Sequence, residues 1–254
     1  MRLDEKVVLI GGAGGNMSRA SAMLFAQEGA RIVLAARTAE RMRQTARRIE
    51  EAGGQVLTHQ ADLCDDQAVD GLVRASTDRF GGIDCFLHAA GGYFSTDHDV
   101  SAMAPQFMDD ALRNNIRTLL VPVRALTPVI AGRGGGTIIT LTAGFRVRQD
   151  ANSAYAAAKG GMIAAAQNLA GELYTKNIRV HAVCPGLMWD SLPDGPIRPL
   201  APKLERLGNP IDVAHAALWL CSDEASWVTG QAITIDGGDS VFVDSPVRRA
   251  AIGV

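Results

Sequence analysis

Short apolar runs alternate with longer helical patterns along the 254 residues, and this alternation predicts an α/β fold whose parallel sheet carries helices on both faces. Two further observations point the same way. The first apolar run passes directly into a glycine-rich turn, VLIGGAGGNMSRA from Val8 to Ala20. The chain is also 47% hydrophobic, enough at this length to bury one large core.

Each element follows from its local pattern. Val7–Ile10 is the first strand and leads to a helix ending at Glu28. Arg31–Ala35 is the second, followed by a helix to Ala52, and Gln55–Ala61 is the third, followed by a helix to Arg79. Ile83–Ala89 is the fourth. Repeats of this kind close as right-handed crossovers, which makes neighbouring strands parallel. The rhythm continues with a helix around Asp109–Ile130, the strand Thr137–Thr142, and a long helix of small residues from about Asn152 to Thr175. The strand Arg179–Cys184, a helix around Pro210–Cys221 and the strand Gln231–Ile235 complete the set. The result is a Rossmann-type, doubly wound, seven-stranded parallel sheet flanked by helices. No internal repeat or linker interrupts residues 1–254, so a single domain is expected. The Gly/Pro-rich stretch after the sixth strand reads as a substrate lid over 187–207, and 239–254 as a tail that can reach a neighbouring subunit.

Composition narrows the function classes. The formal net charge is −2, from 25 basic and 27 acidic side chains, so no global field would draw the protein onto nucleic acid or an anionic membrane. Cys64, Cys85, Cys184 and Cys221 show no C-x-x-C or Cys/His ligand spacing, which argues for free thiols and against a metal site. The start MRLDEK lacks the pattern of a signal peptide. No segment approaches the ~18 uninterrupted apolar residues of a membrane span. A cytoplasmic protein is expected.

In an open parallel sheet the ligand lies at the carboxyl ends of the strands, where the first βα turn offers backbone N–H groups and a helix dipole to a pyrophosphate. Gly11 to Ser18 occupies that place, although the literal G-x-G-x-x-G pattern is absent. Gly12 and Gly14 suit the tight turn, and Asn16 tolerates left-handed dihedrals. Ser18 is small, with a hydroxyl able to cap N–H groups or reach a phosphate. The candidate phosphate contacts are thus Gly12, Ala13, Gly14, Gly15, Asn16, Met17 and Ser18. About 20 residues on, a carboxylate would select the ribose hydroxyls of NAD. The stretch IVLAART from Ile32 to Thr38 has none, and Arg37 just past the strand end suits the 2′-phosphate of NADP, so NADP(H) is expected over NAD(H).

In SAYAAAKGGM, Tyr155 and Lys159 are four apart on a helix, so both side chains reach the same ligand. A phenol with a pKa of ~10 is a poor acid–base catalyst near neutral pH. A nearby ammonium favours the phenolate and draws the pKa toward the working range, letting the tyrosine protonate a carbonyl oxygen as hydride arrives.

With these residues the chain resembles the short-chain dehydrogenase/reductase family from about Lys6 to Gly238. The resemblance is carried by the glycine turn, Asp62-Leu63, HAAG at His88–Gly91, Asn115 in NNIRT, YAAAK, CPG at Cys184–Gly186, and RLGNPIDVAHAALWLCSDEASWVTGQAITIDGG. It implies Tyr155 as acid/base, Lys159 on the nicotinamide ribose, and Asn115 in a water-linked proton path. It implies cofactor contacts from Asp62 and Leu63 at the adenine, from His88, Ala89, Ala90 and Gly91, and from Pro185, Gly186, Leu187 and Met188 near the carboxamide.

Two departures from the family pattern matter. Gly11, Asn16 and Ser18 stand where the family usually has Thr and the later two glycines, and G-x5-S-x-A from Gly12 to Ala20 looks like the turn of bacterial enoyl-thioester reductases. Those enzymes use Tyr and Lys seven apart, where this chain has Met162, so carbonyl chemistry is favoured. The family also places a helper hydroxyl, usually serine, about 13 residues before the tyrosine. Counting back gives Thr142, which is taken here as the helper, whereas anchoring on the strand TIITLTAG puts Ala143 there. With Ala143 in that place, the enzyme is expected to be slow, to use another donor such as Ser153, or to work on a substrate other than a ketone.

The histidines are dispersed and read as structural, with His88 also near the cofactor. Tyr93, Phe94 and Trp189 at strand ends suit an apolar or ring-bearing substrate. The small residues of the catalytic helix, among them Ala156–Ala158, Gly160, Gly161 and Ala164–Ala166, permit close helix approach. By resemblance that face is a subunit interface in a homotetramer or a dimer. The expected activity is an NADP(H)-dependent interconversion of a carbonyl and an alcohol on a small molecule. Reduction of an activated C=C or C=N bond, and a cofactor-binding sensor or structural role, are the alternatives.

Overall fold

The computed structural model describes residues 1–97, 99–188 and 206–241. Seven strands form one parallel sheet in the order β3-β2-β1-β4-β5-β6-β7. They are β1 (Val7–Gly11), β2 (Arg31–Ala36), β3 (Val56–Gln60), β4 (Cys85–His88), β5 (Gly136–Leu141), β6 (Ile178–Pro185) and β7 (Ala232–Ile235). The helices are α1 (Asn16–Gln27), α2 (Ala39–Glu51), α3 (Asp66–Phe80), α4 (Pro105–Leu112), α5 (Thr118–Gly132), α6 (Phe145–Gln149), α7 (Ser153–Glu172) and α8 (Pro210–Cys221).

The two-residue period of a strand divides the core. Val8 and Ile10 of β1 turn to the face covered by α1, α2 and α8, with Phe25, Ile32 and Leu218. Val7 and Leu9 turn to the face of α3, α5 and α7, with Phe86, Leu126 and Met162. β1 and β4 are buried along their whole length, whereas the edge strands β3 and β7 alternate between half-buried and exposed residues. A central strand covered on both sides has no solvated face, so its sequence is an unbroken apolar run.

The structure departs from the sequence expectation at three places. The helix expected around Asp109–Ile130 starts at Pro105 and is interrupted by a π-helical turn over Arg113–Arg117. The helix expected to reach Thr175 ends at Glu172 and passes into a 3₁₀ turn, Tyr174–Lys176, closed by Asn177 at φ 56°. The short helix α6 was not anticipated at all. Of the expected lid, only 187–188 and 206–207 lie among the described residues; Met188 pairs with Gly208, and Gly208 N donates to Leu187 O at 3.0 Å, so the two ends of this stretch meet. Trp189, His98 and the tail beyond Val241 lie outside the described residues. Among the described residues no helix is long and apolar enough to cross a membrane, and no group of three or more His, Cys, Asp or Glu is placed to hold a metal.

Candidate active site

The chain moves outward from β1 to β2 and β3, then returns to β4 on the other side of β1. At this switch point the loops after the two strands part and leave a crevice. A cavity of about 580 Å³ lies there, bordered by Gly12, Gly14 and Gly15 after β1 and by Ala89, Ala90 and Gly91 after β4.

The glycine turn is shaped by close approach. Gly12 has φ 81°, and a Cβ on it would sit 2.3 Å from Ala90 N, so only glycine fits between the ends of β1 and β4. Ser18 is buried, and its Oγ accepts from Gly15 N at 3.1 Å while lying 2.8 Å from Gly15 O and 3.1 Å from Gly12 O. Its hydroxyl therefore braces the turn from inside and does not reach out to a phosphate. The first turn of α1 holds no acidic side chain, which leaves the positive end of the helix dipole open to an anion. Asn16 borders an adjoining cavity with Ala13 and Arg19, while Met17 packs against the core and forms no part of the main cavity wall.

At the other end of the cavity stand Arg37 and Arg41, with Asp62 and Leu63 after β3. Arg37 Nη1 donates to Asn114 Oδ1 at 3.4 Å, and Arg41 Nη1 donates to Gly14 O at 3.2 Å, drawing a second guanidinium over the glycine turn. Asp62 accepts from Cys64 N at 2.9 Å and pairs with Arg113 at 3.3 Å. Burial works against its charge, but these two partners outweigh it and hold the carboxyl below its ordinary range.

The proposed proton-transfer residues converge beside Gly91. A Cβ on Gly91 would lie 2.7 Å from Asn115 Oδ1 and 2.9 Å from Lys159 Nζ, so both polar groups press on one bare Cα. Asn115 sits in the π-helical turn; its Nδ2 donates to Ala111 O at 2.8 Å and Gly92 O at 3.2 Å, while Oδ1 is buried without a protein partner among the described residues. Lys159 is only 6% exposed and donates to Leu141 O at 3.1 Å. Its Nζ lies 5.8 Å from the centre of the Tyr155 ring, whose other neighbour, Phe94, meets it edge-on at 5.5 Å. Asn152 ties these parts together. Its Oδ1 accepts from Tyr155 N at 2.9 Å, capping α7, and its Nδ2 donates to Tyr93 O at 2.9 Å, holding the loop that carries Phe94.

Burial dominates the electrostatics. It pushes the Tyr155 phenol up to about 12, against a downward pull from Arg148. It also pushes the Lys159 amine down to about 8, with Cys184 acting the other way. In the protein alone the phenol is thus raised and not lowered, because taking a phenolate out of water costs more than the charge of Arg148 returns.

Two further site expectations, at His88 and Thr142, need correction. His88 faces away from the cavity: β4 turns its ring into the interior, where Nδ1 meets Thr140 Oγ1 and Nε2 meets Thr118 Oγ1, each at 3.0 Å. Burial, aided by Lys159, lowers its pKa to about 3, so the ring is neutral. Thr142 turns its hydroxyl to β6, 3.2 Å from Val183 O and 3.0 Å from Cys184 Sγ, and the residue packed with Tyr155 is Ala143. Both residues lie just past the end of β5, where Thr142 N continues the pairing by donating to Val183 O at 2.8 Å, and adjacent side chains on extended backbone leave on opposite faces. Pro185 and Gly186 are buried at the end of β6, where Gly186 N donates to Ile235 O at 2.9 Å; Leu187 packs on the Tyr155 cluster and Met188 on the core. These four do not border the main cavity, and neither do Tyr155, Lys159 and Asn115.

Arg41, Asn114, Thr118, Asn152 and Arg148 were not singled out from the sequence. Arg41 had a readable signal, a second arginine in the first turn of the helix that follows Arg37, and Asn152 had another, an Asn three residues before Tyr155 at a helix start.

The model of the enoyl-(acyl carrier protein) reductase family matches residues 12–240. The 7alpha-hydroxysteroid dehydrogenase of Escherichia coli K12 is 31% identical over 249 residues, covering 94% of this chain and 95% of that protein. The 3-oxoacyl-(acyl-carrier-protein) reductase of Thermotoga maritima is 31% identical, covering 94% and 99%. Among solved structures, a Burkholderia xenovorans protein described as a short-chain dehydrogenase/reductase superimposes with a TM-score of 0.85 at 34% identity, covering 96% of this chain and 99% of that one. A 7alpha-hydroxysteroid dehydrogenase in complex with NADH and 7-oxo glycochenodeoxycholic acid gives 0.82 at 29%, covering 93% and 95%.

Proposed function

The chain belongs to the short-chain dehydrogenase/reductase family, and on that premise we propose that it is an NADP(H)-dependent oxidoreductase interconverting a carbonyl and an alcohol. The observation that carries the reading is the convergence of Lys159 Nζ and Asn115 Oδ1 on the bare Cα of Gly91, with Tyr155 one helical turn from Lys159. The residues present fit a dinucleotide: a glycine cradle that a Cβ would fill at Gly12, an open helix N-terminus, and a cavity running from there to Arg37 and Arg41. No carboxylate pairs with either arginine among the described residues, which favours a phosphate at that end over bare ribose hydroxyls.

When bound, the nicotinamide supplies or takes the hydride. Tyr155 gives its phenolic proton to the carbonyl oxygen in reduction and takes it back in oxidation. Lys159, held charged or neutral by small changes around it, sets how readily the phenol releases that proton. Asn115 holds the π-helical turn against Gly92 while leaving its Oδ1 toward Lys159 as an acceptor in the proton path. Ala143 beside Tyr155 offers no hydroxyl to the substrate oxygen, which favours, as a second reading, reduction of an activated C=C bond. The exposed small residues of α7, including Ala157 and Ala164, support a homo-oligomer.

The test follows NADPH and NADH absorbance across ketones, enones and imines. Ketone turnover with NADPH, lost about 100-fold or more in Tyr155→Phe, supports the reading. Turnover of enones or imines without ketones transfers it to the second reading, and full activity of the variant rejects the mechanism. Arg37→Ala with Arg41→Ala is expected to raise KM for NADPH and leave that for NADH nearly unchanged.

A further inference from the structure

Beside Tyr155 stands a cation that the reaction above does not use. Arg148 is half-buried on α6, and its Nη1 donates to the carbonyl oxygen of Ala143. Among the described residues no carboxylate forms an ion pair with it, so one carbonyl is its only polar partner there. The residue that accepts from it, Ala143, belongs to an apolar cluster with Val147, Ala151, Tyr155 and Leu187. Phe94, half exposed, lies edge-on against the Tyr155 ring. The charge of Arg148 is felt at both Tyr155 and Cys184.

A half-buried guanidinium with no carboxylate partner among the described residues is open to an anion, and its planar fork matches a carboxylate with two parallel hydrogen bonds. The aromatic and aliphatic wall beside it suits an apolar body. We infer that Arg148 is a specificity-determining residue, binding the carboxylate bonded directly to the reacting carbon, so that the substrates are 2-oxo acids whose apolar body lies on Phe94 and Val147. This rests on the carbonyl–alcohol reading. A neutral ketone would leave the guanidinium with its single carbonyl partner, whereas an oxo acid supplies both the anchor and the reacting group.

The experiment compares a phenyl-bearing 2-oxo acid with its methyl ester, using wild type, Arg148→Gln and Arg148→Lys and following NADPH oxidation. Wild type is expected to prefer the acid. Arg148→Gln is expected to lose about ten- to hundredfold in kcat/KM on the acid and little on the ester, with Arg148→Lys between them. An ester preference in wild type, or an acid-to-ester ratio unchanged in Arg148→Gln, overturns the inference. Tyr155→Phe isolates the premise: if it leaves turnover intact, the carbonyl mechanism fails, whatever Arg148→Gln does. If wild type turns over neither compound, calorimetric titration of the matching 2-hydroxy acid into protein with NADP+ decides. Weaker binding by Arg148→Gln supports the anchor, and equal binding overturns it.

Discussion

Lys159 carries its amine where water scarcely reaches, and the free protein bears the cost of that burial. Its folded pKa of about 8 lies below the ordinary 10.5, so near pH 7 the folded state holds a desolvated ammonium that the unfolded chain would keep solvated. Lys159→Met is therefore expected to stabilise the free protein at pH 7 by about 2 kcal/mol while abolishing activity. The advantage fades with rising pH. Between about 8 and 10.5 the unfolded chain still binds a proton that the folded chain has released, so wild type gains stability and the variant's advantage shrinks. Denaturant titrations of both proteins across that range provide the check; a variant less stable than wild type at pH 7 would contradict the argument. Tyr155 and Lys159 were legible in the sequence because a spacing of four on a helix has one geometric meaning. The direction of the phenol's shift was not, since it depends on burial that other elements create.

At the scale of elements, the site depends on how helix starts and strand ends are joined. α7 begins at Asn152, whose one side chain both caps the helix that bears Tyr155 and grips the Tyr93–Ser95 loop. Tyr93 itself has φ 71°, a left-handed conformation that a tyrosine adopts only when its surroundings enforce it. Asn152→Ala is expected to cost about 1–3 kcal/mol of stability and to lower kcat/KM by loosening Phe94 and Tyr155 together. Thermal unfolding and kinetics of the variant measure the two effects, and loss of stability with unchanged kinetics would show that the loop is held elsewhere. Strand and helix positions were readable from periodicity, because burial imposes it directly. The π-helical turn at Arg113–Arg117 was not, since a one-residue widening leaves the apolar pattern of α4 and α5 nearly intact. Thr142 and Ala143 illustrate the same limit: counting residues from Tyr155 and registering on β5 give different answers, and the pleat of the strand chooses between them.

At the scale of the whole molecule, part of the surface of α7 is exposed among the described residues. Ala157 and Ala164 are exposed, and a Cβ on Gly160 would meet nothing within 4 Å, so a flat, nearly side-chain-free helix face is presented to the outside. Light scattering is expected to give a multiple of the chain mass, and Ala164→Arg to shift the protein toward the monomer; a monomeric wild type would reject the interface.

The amino-acid order alone determined the strand–helix alternation, the glycine turn at the first strand end, the missing acid after the second, and the Tyr155–Lys159 pair. Each is a local pattern whose physical meaning survives without knowledge of distant residues. Tertiary structure alone decided that Lys159 and Asn115 meet over Gly91, that His88 is walled in by two threonines, that Ala143 faces Tyr155, and that Arg148 stands beside it. Those contacts join residues far apart in the chain, and which face of a strand or turn reaches a partner is set only when the sheet packs between its helices.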